Sequence, residues 1–259
     1  MAHDGYDLVL GFNSNKQAAD KTKEQLEKDY NINVVVVGGD IAAPATMQEL
    51  FKAVQEHFGN ECTAFVHNAG LYLGITTEMS DHQPPADAEF DQTWDYYQKV
   101  YPQAFKRGIL AAQKCKGLKH VLAISSPGCN ATYPPRVGYE NPGQAKAAVE
   151  FLTRTHASAF ASQGINVNCV IPGLVTTGAW DKLAEKMGTS AEQLKHFADG
   201  TPAQRWADPT EIGEAVAFLC SLKGSFITGV SLPVDGGLHL QHASLIPSGG
   251  GADQKAPKE

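Results

Sequence analysis

Three side chains near the middle of the chain have the chemistry needed for hydride transfer. Ser126, Tyr139 and Lys146 lie between an apolar run, His120 to Ile124, and a helix-like run that begins at Gln144. A phenol can give or take a proton, and a neighbouring ammonium lowers the pKa of that phenol by stabilising the phenolate. Reduction of a carbonyl or a polarised alkene by hydride requires such groups. The alternative is that all three are ordinary loop and helix residues.

The elements that must position these side chains alternate along the chain. The strand-like runs are Tyr6–Gly11, Val34–Gly38, Ala64–His67, His120–Ile124, Asn166–Ile171 and Ser231–Val234. The helix-like segments are Asn15–Tyr30, Thr46–Phe58, Asp91–Lys114, Gly143–Gln163, Thr177–Ala198 and Thr210–Leu222. Continuous apolar strands between amphipathic helices predict an α/β fold with a doubly wound, Rossmann-like parallel sheet. We expect one domain over residues 1–238 and a polar, disordered tail over residues 239–259.

Composition narrows the classes of partner. The 259 residues carry a formal net charge of -7, and the Lys and Arg residues are scattered, which argues against nucleic acid as a partner. No apolar run is long enough to cross a bilayer, so no membrane is expected. The opening residues do not resemble a secretory signal. We therefore expect a cytoplasmic location, or an organelle if a targeting segment is missing.

The five cysteines do not suggest a disulfide framework or a metal site. They are odd in number, widely spaced and mostly in apolar surroundings, which favours buried thiols over disulfides or a metal site. No metal is therefore expected. Cys129 lies close to the three candidate residues, so a reactive thiol is the alternative at that position.

Short motifs at the ends of the predicted strands add a second line of argument. Their order along the chain is Asp40, His67-Asn68-Ala69-Gly70, Asn168, Pro172-Gly173-Leu174-Val175-Thr176-Thr177, Ile227-Thr228-Gly229 and Val234-Asp235-Gly236-Gly237. With the central trio, this ordered set resembles the short-chain dehydrogenase/reductase family over nearly the whole chain. The resemblance implies an NAD(P)-dependent oxidoreductase acting on a small molecule.

The resemblance also implies a dinucleotide site. Its residues would be Asp40, Ile41, Asn68, Ala69 and Gly70 on the adenosine side and Lys146, Pro172, Gly173, Val175 and Thr177 on the nicotinamide and pyrophosphate side. Each motif has a structural alternative when it is taken alone. Asp40 and Thr177 are both acceptable as helix N-caps, and a strand-end Asn-Ala-Gly turn can be purely structural.

The residues after the first strand favour NADP(H) over NAD(H). An acidic residue in this place would bind the ribose 2′-hydroxyl and repel a 2′-phosphate. The chain instead has Gly11-Phe12-Asn13-Ser14-Asn15, without an acid. We expect Ser14 and Asn15 to donate to the 2′-phosphate, although a plain turn with an Asn cap explains the same residues.

The spacing of the trio differs from the usual Tyr-x-x-x-Lys. The residue four positions before Lys146 is Pro142, and the nearest phenol is Tyr139, which gives Tyr-x6-Lys. This spacing resembles the enoyl-acyl-carrier-protein reductases, whereas Ser126 favours a carbonyl substrate. The resemblance implies that Tyr139 is the proton donor, that Ser126 polarises the substrate oxygen and that Lys146 holds the nicotinamide ribose. Tyr101 stands where the family has a helix-borne Asn, so the usual proton relay is not expected.

These residues leave several functions open. The first is reduction of an enoyl thioester or a carbonyl, and the second is a ketoreductase or alcohol dehydrogenase acting on a small carbonyl. The third is a non-catalytic relative that binds nucleotide or a partner protein. The resemblance further implies a homodimer or homotetramer.

The start of the sequence departs from the family pattern. Relatives have a first strand, a Gly-rich loop and a helix before the segment that matches Gly5 to Leu8, and that strand lies in the middle of the sheet. The glycines of such a loop let the main chain contact the pyrophosphate at the helix N-terminus. We expect that this sequence is a shortened version of a longer protein and that, without the strand, two neighbouring edges lack a partner.

Overall fold

The computed structural model describes residues 1–70, 87–135, 139–178 and 201–240, together with Ala184 and Ser190. The tail predicted for residues 239–259 and the helix predicted over Thr177–Ala198 lie almost wholly outside these ranges.

Strands and helices alternate through the described part of the chain. The strands are β1 (Leu8–Phe12), β2 (Val34–Gly38), β3 (Ala64–His67), β4 (His120–Ile124), β5 (Asn166–Pro172) and β6 (Ser231–Val234). The α-helices are α1 (Lys16–Tyr30), α2 (Pro44–Phe58), α3 (Asp87–Gln98), α4 (Ala104–Ala112), α5 (Glu140–Phe160) and α6 (Pro209–Leu219). All strand pairings are parallel, which confirms the predicted Rossmann-like α/β fold. None of these helices is long and apolar enough to span a membrane.

The strands form two sheets within the described ranges. β1 pairs with β2 alone, whereas β3, β4, β5 and β6 form a four-stranded sheet in that order. A cleft of about 1350 Å³ separates the two sheets and is lined by the backbone segments of β1 and β3 and by the inner face of α2. In the described residues, the edges of β1 and β3 at this cleft have no strand partner, as the sequence predicts.

The core lies around the two central strands of the larger sheet. The side chains of Val121, Leu122, Val167 and Val170 are almost completely buried. Phe105 of α4 and Val149 of α5 cover one face, and Leu219 of α6 belongs to the cluster on the other. Burial on both faces explains why β4 and β5 are continuous apolar runs.

The helix predicted over Asp91–Lys114 is interrupted. Residues Lys99–Gln103 form a π-helical turn between α3 and α4, and Pro102 lies inside it. A regular α-helix needs an N–H at this position to donate to the carbonyl four residues earlier, and proline has none. The wider turn carries the chain past this position, and Ala104 N donates to Lys99 O beyond it.

Candidate active site

The segments that the sequence assigns to a site follow the ends of the strands. In parallel sheets, the carboxyl ends of the strands share one edge, where ligands bind in open α/β folds. Ser14 and Asn15 follow β1, Asp40 and Ile41 follow β2, and Asn68, Ala69 and Gly70 follow β3. Ser126 follows β4, and Pro172 ends β5. The segments after β1 and β2 therefore lie at the smaller sheet. The segments after β3, β4 and β5 lie at the larger sheet.

Ser126 and Tyr139 form a hydrogen-bonded pair. The Oγ of Ser126 lies 2.8 Å from the Tyr139 hydroxyl, and either atom can be the donor. Tyr139 is the N-cap residue of α5, and its carbonyl accepts from Gly143 N over 2.8 Å. The phenol reaches the serine because Tyr139 stands at the start of α5, and not because it lies one helical turn before Lys146.

Pro142 is compatible with this arrangement. It lies in the first turn of α5, where backbone N–H groups have no acceptor within the helix. A proline there costs no helical hydrogen bond. The helix therefore starts upstream of the predicted Gly143 and places Tyr139 at its entrance.

Lys146 reaches the same end of β4 from α5. Its Nζ donates to Ile124 O and to Ser125 O, each over 3.2 Å. The ammonium also lies over the ring of Tyr101, 4.7 Å from its centroid. Burial lowers the pKa of Lys146 below its ordinary value. The structure thus places Lys146 beside the residue that precedes Ser126.

A buried carboxyl holds the loop after β4 against α5. Glu150, one turn beyond Lys146, is 1% exposed. Its Oε1 accepts from Ser125 Oγ, and its Oε2 accepts from Asn130 Nδ2 over 2.7 Å. Sequence analysis missed Glu150, although an acidic residue four positions after Lys146 shares its helix face, which was an available signal.

Cys129 is part of the same loop. Its Sγ lies 3.3 Å from Ser126 Oγ, and the residue is 8% exposed. Burial raises the pKa of this thiol. The thiol form is therefore favoured, which argues against the alternative of a reactive cysteine.

A second hydrogen-bonded group supports the site from behind, and sequence analysis missed it as well. The hydroxyl of Tyr133 donates to Asp235 Oδ2 over 2.7 Å, and His239 Nδ1 lies 2.9 Å from the same oxygen. Asp235 also packs closely against the Pro172–Gly173 turn, because a Cβ on Gly173 would lie 2.6 Å from the Cα of Asp235. The Val-Asp-Gly-Gly motif therefore fixes the end of β5.

The predicted nucleotide-binding residues on the adenosine side are partly engaged in local structure. Asn15 Oδ1 accepts from Ala18 N over 3.0 Å, so Asn15 is the N-cap of α1. Asp40 does not cap α2, whose N-cap is Ala43; its Oδ1 accepts from Ala42 N over 2.9 Å. Ser14 and the Asn68–Gly70 turn are exposed at the edge of the sheets.

The segment after β5 is held in an extended conformation. Ala207 N donates to Leu174 O over 2.8 Å, and Thr176 N donates to Ala207 O over 2.9 Å. These bonds fix Val175 between them, and Thr177 follows as an exposed residue. Within the described ranges, no group of three or more His, Cys, Asp or Glu side chains is placed to hold a metal ion.

A smaller cavity opens beside the phenol. Its volume is about 390 Å³. Its lining comes from α3, from the loop after β4 and from the start of α5: Trp94, Gly128, Pro135, Tyr139, Glu140, Gly143 and Gln144. The phenol therefore borders a space large enough for a small organic group.

Comparisons with known proteins agree with the α/β fold and indicate the family. Residues 1–239 match the family model described as enoyl-(acyl carrier protein) reductase. The chain is 30% identical over 240 residues to the uncharacterized oxidoreductase YmfI of Bacillus subtilis, with 92% of this chain and 91% of YmfI covered. It is 26% identical over 243 residues to the 3-oxoacyl-[acyl-carrier-protein] reductase FabG of Staphylococcus epidermidis, with 93% and 91% covered.

A solved structure with the same fold is L-sorbose reductase from Gluconobacter frateurii, complexed with NADPH and L-sorbose. The TM-score is 0.77 at 24% identity, with 93% of this chain and 90% of that chain covered.

Proposed function

Because the chain belongs to the short-chain dehydrogenase/reductase family and is an NAD(P)-dependent oxidoreductase, we propose that it uses NADPH to reduce a carbonyl group. The observation that carries this proposal is the 2.8 Å contact between Ser126 Oγ and the Tyr139 hydroxyl. Two hydroxyls this close can both donate to one substrate oxygen, which stabilises the negative charge that develops there.

The three residues have separate roles. Tyr139 transfers its phenolic proton to the substrate oxygen, and Ser126 holds that oxygen with a hydrogen bond. Lys146 lowers the cost of the resulting phenolate through its positive charge. It also binds the nicotinamide ribose. A nicotinamide held there would supply the hydride.

The residues at the carboxyl ends of the strands fit an NADP(H) molecule. The Asn68–Gly70 segment after β3 is exposed, and its small residues leave the backbone accessible to a ligand at the edge of the sheet. Ser14 and the Asn15 amide nitrogen follow β1, and the chain has no acidic residue from Gly11 to Asn15, where one would repel a 2′-phosphate. The NADPH complex of L-sorbose reductase, a protein of the same fold, supports this choice.

The substrate class follows from the cavity and from a relative. An apolar wall of Trp94 and Pro135 beside the phenol suits an aliphatic chain. The name of FabG states that it reduces 3-oxoacyl groups on acyl carrier protein. We propose a 3-oxoacyl thioester as the substrate class of this chain. An enoyl thioester is the second candidate, because the Tyr-x6-Lys spacing and the description of the matching family model favour it.

We also propose that the chain is a homodimer or homotetramer. Phe151 on α5 and Leu110 on α4 are 61% and 47% exposed, and exposed large apolar side chains on these helices could be covered by a second copy of the chain. Sedimentation of the purified protein measures this directly. A cytoplasmic location stays a prediction.

Turnover assays test the proposed function. NADPH absorbance is followed with acetoacetyl-thioester and with crotonyl-thioester, and we expect oxidation with the first substrate. Tyr139→Phe should lower kcat by about 100-fold or more, since it removes the proton donor. The matched control is Tyr30→Phe, which removes an exposed phenol at the end of α1 and should leave kcat unchanged. Turnover of crotonyl-thioester alone would select the second candidate, and unchanged kcat in Tyr139→Phe would contradict the mechanism.

A further inference from the structure

Tyr101 occupies an unusual place in the backbone. It lies in the π-helical turn, next to Pro102, and is 4% exposed. Its ring stacks on Tyr97 with the centroids 5.8 Å apart and the planes 7° from parallel. The stacking and the turn hold the ring in one orientation.

The other face of the site confines the same ring. A Cβ on Gly70 would lie 2.9 Å from the Tyr101 hydroxyl, so the glycine at the end of β3 leaves the space that this side chain occupies. Tyr101 therefore extends from the strand-end turn at Gly70 to the ammonium of Lys146.

Three described groups contact the Lys146 ammonium, and they are of two kinds. Two are the carbonyls of Ile124 and Ser125, and the third is the Tyr101 ring, 4.7 Å away at its centroid. An ammonium within about 6 Å of a ring centroid is attracted by the negative face of the ring. The attraction strengthens as water is excluded, and here the ring is 4% exposed while Lys146 is half-buried.

Other titratable groups also face this ammonium. They are His67 on β3, Cys129 in the loop after β4, Cys169 on β5 and Glu150 on α5. His67 is itself buried, and burial lowers its pKa to about 4, so near neutral pH it adds no positive charge. The ring of Tyr101 thus contacts the ammonium where the ordinary family relay has an amide.

We propose that Tyr101 is a positioning residue whose ring face holds the Lys146 ammonium at the carboxyl end of β4, beside the Ser126–Tyr139 pair. This rests on the proposed function for its catalytic consequence only. The ring presents a fixed electrostatic surface to the ammonium, which favours the charged form of Lys146 and fixes its orientation.

The decisive measurement is the titration of Lys146 in the protein without cofactor. Lysine labelled with ¹³C at Cε is observed by NMR, and Lys146→Met assigns the resonance. Tyr101→Phe keeps the ring and should leave the Lys146 pKa unchanged. Tyr101→Leu removes the ring and should lower that pKa by about one unit relative to Tyr101→Phe. Tyr101→Met takes the place of the leucine variant if the latter does not fold. Equal pKa values with and without the ring would overturn the proposal.

Turnover provides the second readout. In Tyr101→Leu, the pH profile of alcohol oxidation should move to higher pH, because a less charged lysine lets the phenol pKa rise. Tyr101→Phe should restore the wild-type profile, which a merely structural role of the hydroxyl would not do. A wild-type protein that oxidises no NADPH would refute the proposed function while leaving the titration result, which needs no cofactor, to decide the role of Tyr101.

Discussion

Ser125 Oγ donates a hydrogen bond to Glu150 Oε1 over 2.5 Å, and both residues are almost completely buried. This bond joins the loop after β4, which carries Ser126, to α5, which carries Lys146. The bond from Asn130 to the other carboxyl oxygen makes Glu150 the acceptor for two separate points of that loop. The relative placement of the Ser126 and Tyr139 hydroxyls, for which we propose a catalytic role, therefore depends on a buried carboxyl that contacts neither of them in these hydrogen bonds.

Replacing Glu150 should separate its structural and catalytic effects. Glu150→Ala leaves the buried hydroxyl of Ser125 and the half-buried amide of Asn130 without their acceptor, and it should lower the free energy of unfolding by about 2 to 3 kcal/mol. Glu150→Gln keeps the shape and one acceptor oxygen, so it should cost less stability. We expect kcat to fall in both variants. Urea unfolding and NADPH oxidation measure these effects, and wild-type stability in Glu150→Ala would refute the role.

His67 should make the protein less stable in acid. It is 4% exposed, and burial, with Lys146 nearby, lowers its pKa from 6.5 to about 4. Between these two pH values the unfolded chain binds more protons than the folded one, so the free energy of unfolding falls as pH falls through this window. The total loss is about 3 kcal/mol.

The variant His67→Asn should lack this component of the pH dependence. Urea unfolding of both proteins from pH 7 to pH 4.5 gives the difference in slope, in which the contributions of other histidines cancel. Curves that run parallel over the whole range would show that His67 is not titrated by unfolding.

Two glycines should respond in opposite ways to the same substitution. Gly173→Ala places a Cβ 2.6 Å from the backbone of Asp235 and should destabilise the protein by about 2 kcal/mol or more. Gly213→Ala lies inside α6 with open space around it and should stabilise the protein by about 0.5 to 1 kcal/mol. Thermal melting compares them, and a stabilising Gly173→Ala would contradict the close packing of the β5 turn.

Ser14 should control the choice between NADPH and NADH. Ser14→Asp introduces the carboxylate that would repel a 2′-phosphate, so the KM for NADPH should rise about tenfold or more while that for NADH falls. Ser14→Ala is the control, since it removes the hydroxyl without adding charge. Equal KM values for NADPH in the Asp and Ala variants would place the adenosine ribose elsewhere.

The strand bounds were predictable because short, mostly apolar runs, rich in valine in β2, are separated by polar and glycine-containing segments. β2, β3, β4 and β6 have the bounds that the sequence predicts. The π-helical turn was not predictable. One extra residue in a single turn changes the hydrophobic periodicity of Asp91–Lys114 too little to be recognised in the sequence. Pro102 was the only local signal, and a proline alone indicates a kink without its form.

The trio could be identified by residue type, but the contact between Ser126 and Tyr139 could not. Their approach depends on where α5 begins, and Pro142 allows a start several residues before the apolar stripe. Glu150 was overlooked because a charged residue in an amphipathic helix is usually exposed. Only the fold shows that its face of α5 is covered by the loop after β4.

The two separate sheets give the nucleotide a mechanical role as well as a chemical one. The proposed adenosine ligands Ser14 and Asp40 follow the strands of the smaller sheet. Asn68 follows β3 of the larger sheet, and Lys146 lies on α5, which packs on that sheet. A bound dinucleotide would contact residues beside both sheets, so that separating the two sheets would also require releasing the ligand. At a hundred times its dissociation constant, such a ligand adds about 2.7 kcal/mol to the folded state. The stability of the folded protein would then depend on the concentration of its coenzyme.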